Sequence, residues 1–145
     1  MSDNLDNFVQ NLQEEIFEET KKDFGEIAYQ RWRNPLYMGA MENPDAHAKV
    51  RGNCGDSIEI FLRFEDDRVE NASFLTDGCG ASGVCGSFAS EMAIGKTSDE
   101  ILEITGETIL EKLEGLPEDN VHCAFLAANS LHESVSDYVR KQAQN

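Results

Sequence analysis

The sequence predicts an α+β fold, a small three-stranded antiparallel sheet packed with helices, with long helices near the N- and C-termini. Three observations carry that expectation. Apolar residues recur at spacings of three and four in both terminal stretches, the signature of amphipathic helices. Between Ala46 and Thr76 the period drops to two, as strands require. The connections inside that stretch are too short for a crossover helix, so successive strands must run antiparallel with one buried face.

Each element follows in order. Leu5, Phe8, Leu12, Ile16, Phe24 and Ile27 trace one helical face from Ser2 to about Trp32, with Gly25 a point where the helix could break and Glu14, Glu15, Glu18 and Lys21 on the wet side. "RNPLYMGAMENPD" holds two Asn-Pro steps and a glycine, so the helix ends there in an extended connection. "AHAKV", "SIEIFLRF" and "VENASFLT" read as three strands. The second places Ile58, Ile60, Leu62 and Phe64 on one face, and Asp66-Asp67 supplies the turn to the third. A helix of small residues runs from Gly80 to Ile94. Thr97 and Glu100 stand at capping-box spacing and start a short helix, and "GETILEKLEGL" forms another. Ala124, Ala128, Leu131, Val135 and Tyr138 define the last helix, with Arg140 and Lys141 near its C-terminus, where cations suit the helix dipole.

Composition narrows the function. At 145 residues with 40% hydrophobic content the chain reads as one globular domain over 1–145, its residues 1–28 a helical extension that covers the sheet or docks a partner. A net charge of −16 repels phosphate backbones, so no nucleic acid is expected as a partner, and no apolar run is long enough to cross a membrane. "MSDNLDNFVQ" has no basic-then-apolar signal pattern, and the protein is expected to be cytoplasmic, where thiols stay reduced. The four cysteines are therefore not read as disulfides. Nor do they form the paired C-x-x-C knuckles of a zinc ribbon.

Three of them stand at element ends. Cys54 lies in "RGNCGDS" between the first two strands, Cys79 in "DGCGAS" between the third strand and a helix, and Cys123 in "NVHCAF" in the first turn of the last helix. Helix N-termini favour thiolate, the form that binds metal, and glycines beside Cys54 and Cys79 let backbone approach a bulky ligand. Asp56 and His122 add an oxygen and a nitrogen donor. Cys85 falls two turns into its helix, about 120° round from Cys79, which favours packing, with an alternative ligand or a resolving thiol as the other readings.

The ordered set C-G-D, G-C-G-A-S and H-C-A-x-L-A resembles the IscU/NifU N-terminal family of iron–sulfur cluster assembly scaffolds. The likeness runs from about Tyr29, in "YQRWRNPLYMG", through "EMAIGKTSDEILEI" to Tyr138, and Cys79 to Cys123 spans 44 positions, close to the scaffold spacing. It implies a scaffold, not an enzyme, that assembles a transient [2Fe–2S] cluster from iron and sulfur delivered by a cysteine desulfurase and passes it to apo-proteins. The family's cluster thiolates fall on Cys54, Cys79 and Cys123, its aspartate on Asp56 and its histidine on His122, with either of the last two as fourth ligand. Cys123 is assigned as persulfide acceptor.

Zn²⁺ is expected to occupy the same donors in apo or purified protein. The alternative is a zinc-binding, sulfur-accepting protein of the SufU kind, against which stands the lack of that branch's insertion between Cys79 and Cys123. A plain structural zinc site is the third reading. Many relatives carry an L-P-P-V-K segment read by an Hsp70-type chaperone. Here the segment is "LPEDN", Leu116 to Asn120, which a groove selecting a basic apolar motif should bind poorly.

Overall fold

The structure, a computed structural model, describes residues 2–78 and 80–144. Strands β1 (Ala46–Arg51), β2 (Ser57–Glu65) and β3 (Arg68–Thr76) form one antiparallel sheet in the order β1-β2-β3. In register, Ile60 of β2 lies between Ala48 and Phe74, and Leu62 between Ala46 and Ala72. Residues directly opposite share a face, so Ala46, Ile58, Ile60, Leu62, Ala72 and Phe74 make one inner surface, fully buried. On the other face the ring of Phe61 stacks on His47 with centroids 5.8 Å apart.

Simple alternation along β3 would send Glu70 inward with Ala72 and Phe74. The register instead shifts beyond Arg63, so that Phe64 opposes Val69 and Glu70 is left as the extra residue of a bulge. The bulge turns Val69 into the core and Glu70 to solvent.

Helices α3 (Gly80–Ala93) and α6 (Val121–Gln144) cover the inner face, α6 over β1 and β2 and α3 over β3. Their small residues bring helix backbone close to the sheet. The aromatic rings of Phe64 and Tyr138 stack 3.7 Å apart at the far end of the sheet. Between α3 and α6 run the short α4 (Ser98–Ile101), capped by the Thr97–Glu100 box that the sequence predicts, and α5 (Gly106–Leu113). "LPEDN" becomes a 3₁₀ turn over Glu118–Asn120, which leads directly into α6.

The N-terminal helix is two helices, α1 (Ser2–Phe24) and α2 (Glu26–Arg33), parted at Gly25 with φ 84°. Helix α2 is tied to α3 by Arg31, which donates to Ser87 Oγ at 2.9 Å and Glu91 Oε1 at 2.8 Å and lies over the Phe88 ring. Helix α1 packs along α2, with Phe17 against Trp32 at 6.1 Å, and not across the sheet. Leu5 and Phe8 therefore stay 63% and 64% exposed. No helix among the described residues is long and apolar enough to cross a membrane.

Candidate metal and sulfur site

One end of the sheet gathers the turn between β1 and β2, the start of α3 and the start of α6. The β1–β2 turn is shaped by its own backbone: Gly52 N–H donates to Asp56 O at 2.8 Å and Gly55 N–H to Gly52 O at 3.1 Å. Gly55 takes φ 95°, a conformation that side chains rarely tolerate. This turn leaves Cys54 exposed at its tip and Asp56 half-buried at its base. Helix α6 begins at Val121, so Cys123 is its third residue, as the sequence predicts, and is 0% exposed.

Side-chain contacts join the two. Ser82, the third residue of α3 and itself fully buried, donates from Oγ to Asp56 Oδ2 at 3.1 Å. The same oxygen stands 3.5 Å from Cys123 Sγ. On its other side Cys123 Sγ lies 3.6 Å from His122 Nε2. The result is a continuous line, Asp56–Ser82–Cys123–His122, from turn to helix. Cys54 and His122 also line one groove of about 340 Å³ with Arg51, Phe125 and Leu126.

Cys79 lies outside the described residues, but its neighbour Gly78 belongs to the site. A Cβ on Gly78 would stand 2.6 Å from Asp56 Oδ2 and 2.7 Å from Ser82 Oγ. Only glycine leaves room there for the Asp56–Ser82 bond. Gly78 and Gly80 also line a cavity of about 240 Å³ with Trp32 and Met38. Among the described residues no three His, Cys, Asp or Glu side chains stand as a ready metal-binding group. Cys85 is 0% exposed and belongs to the core cluster.

Two groups escaped the sequence reading. Ser82 was one small residue among many in a helix of small residues. Its place three positions after Cys79 in "GCGAS" was the signal available. The second is Asp77, whose Oδ1 accepts from Ser57 N–H at 2.7 Å and whose Oδ2 faces Arg51 Nη2 at 3.4 Å. Arg51 also donates to the Gly55 carbonyl, so this pair staples the Cys54 turn to the segment leading into Gly78. The Ser57 hydrogen bonds, reinforced by the Arg51 charge, hold the Asp77 carboxyl below the usual carboxylate range. An acid before a glycine carries no sequence sign of such a partner.

The three-stranded antiparallel sheet under α3 and α6 can be set beside known folds and families. The NifU-like N-terminal domain family matches residues 24–145, and the chain belongs to it. It is similar to the iron–sulfur cluster assembly scaffold protein IscU 1 of Archaeoglobus fulgidus, 38% identical over 123 residues that cover 83% of this chain and 80% of that one. The scaffold protein IscU of Escherichia coli is 30% identical over 124 residues, covering 82% of this chain and 96% of the relative. The fold matches that of a NifU-like N-terminal protein from Brucella abortus, TM-score 0.66 at 18% identity over 84% of this chain and 98% of that one. It also matches a putative SUF-system scaffold from Fervidobacterium islandicum, TM-score 0.62 at 18% identity over 79% and 98% of the two chains.

Proposed function

We propose that this protein is a scaffold, not an enzyme: a [2Fe–2S] cluster is built on it from iron and from sulfur delivered by a cysteine desulfurase, and then passes to apo-proteins. Its relatedness to iron–sulfur cluster assembly scaffolds supports the general role. The observation that carries the site is the contact line Asp56–Ser82–Cys123–His122, with Cys54 and His122 on one groove. It brings an oxygen donor from the β1–β2 turn and sulfur and nitrogen donors from the first turn of α6 to one end of the fold. Cys79, between Gly78 and Gly80, completes the thiolate set in this reading.

The donor chemistry suits cargo that must leave. Four thiolates would hold a cluster as a permanent redox centre. Three thiolates with a harder Asp56 or His122 leave one iron less firmly held, so an acceptor thiol can displace it. Cys123 is assigned the persulfide-accepting role, since it stands in the first turn of α6 with Ser82 and His122 against its sulfur. The same donors suit Zn²⁺, which would occupy the site in protein purified without iron.

The test is anaerobic reconstitution with ferrous iron, cysteine and cysteine desulfurase, followed by visible absorbance and then by addition of an apo-ferredoxin. The expected result is a cluster spectrum that migrates to the ferredoxin. No cluster, or a cluster that stays, would favour the zinc-bound sulfur acceptor. Asp56→Ala is expected to slow release from the reconstituted scaffold, and release as fast as wild type would remove Asp56 from the exchangeable position.

A further inference from the structure

The geometry points to Ser82 as a positioning residue that decides which oxygen of Asp56 faces an incoming metal. The inference rests on the reading of this site as a metal-and-sulfur site. A serine hydroxyl has one proton and two acceptor lone pairs. Here the proton goes to Asp56 Oδ2 at 3.1 Å, and Cys123 Sγ lies 3.5 Å from the same hydroxyl oxygen. Ser82 is fully buried, so water does not compete for either contact. Gly78 walls the bond from the opposite side, where a Cβ would collide with both Asp56 Oδ2 and Ser82 Oγ.

With one lone pair of Oδ2 taken by Ser82, Oδ1 is the freer oxygen to meet a metal. Asp56 is thereby held, ahead of any metal, in one orientation that presents Oδ1, an ordering that an unheld carboxylate would have to undergo on binding. Ser82 also ties the turn carrying Asp56 to the helix carrying Cys123 across a sequence gap that no local structure bridges. Hydrogen bonds to metal-bound carboxylates commonly change affinity by about 10- to 100-fold when removed.

Titration of the purified full-length chain with Co²⁺ tests this, since its visible bands report coordination number and its near-ultraviolet band reports thiolate ligation. Ser82→Ala is expected to weaken Co²⁺ binding by about tenfold and to change the visible band shape, measured under conditions where circular dichroism shows the variant fully folded. Ser82→Thr, which keeps the hydroxyl, is expected to restore both. A Ser82→Ala protein with wild-type affinity and spectrum would overturn the role. So would a Ser82→Thr protein as impaired as the alanine variant, because shape and not the hydroxyl would then matter. Wild-type protein that binds no Co²⁺ would overturn the metal-site reading itself, and this inference with it.

Discussion

Cys54 and Cys123 sit on opposite sides of one site and are held in opposite ways. Cys54 is exposed on a turn that owes its shape to backbone hydrogen bonds, a left-handed glycine and the Arg51–Asp77 staple. Cys123 is buried at the start of a 24-residue helix whose inner face, through Leu131 and Val135, is part of the main core. One thiol is presented by local chain geometry, and the other is anchored by tertiary packing. A site built this way has a compliant half that reaches solvent and a rigid half that sets position, which suits cargo that arrives and departs.

The contrast predicts its largest effect in thiol reactivity. With native, metal-free protein, iodoacetamide should modify Cys54 about a hundredfold or more faster than Cys123, because attack on Cys123 waits for local opening. Peptide mapping by mass spectrometry over time measures the ratio, and comparable rates would erase the distinction. Leu131→Ala strikes the anchored half. It empties a fully buried site and should lower stability by about 2–5 kcal/mol in urea unfolding. Gly55→Ala strikes the compliant half, where a Cβ meets nothing within 4 Å and only the backbone objects. The expected cost is about 1–2 kcal/mol. A cost equal to that of Leu131→Ala would mean that the turn is not independent of the core.

Asp77 gives the smallest effect, since it and Arg51 are half exposed and screened by solvent. Its carboxyl is held low in the folded state, so its contribution is present above the unfolded value of about 3.9 and is lost as pH falls through the folded one. Asp77→Asn should therefore be slightly less stable than wild type at about pH 7, with the gap closing in acid below the folded-state value. A gap that persists there would assign the loss to something other than the carboxylate.

Much of this was legible beforehand. The strands, the Thr97–Glu100 cap, the break at Gly25 and the place of Cys123 in the first turn of α6 all depend on interactions between near neighbours in the chain. The packing of Cys85 followed from its position along one helix. Cysteines at element ends, with an acid and a histidine beside them, marked the candidate site for the same reason.

Long-range facts were a different matter. Periodicity showed that α1 has an apolar face, yet nothing local says whether another element will meet it, and Leu5 and Phe8 remain exposed. Alternation along β3 could not reveal the bulge at Glu70, because register belongs to a pair of strands. The Ser82 bridge joins residues 26 and 41 positions apart, and the Arg51–Asp77 staple joins residues 26 apart. Spacing and residue type alone determined which donors this chain carries and which elements bear them. Only the tertiary structure decided which of those donors touch, since contact between distant side chains is set by how helices and sheet pack together.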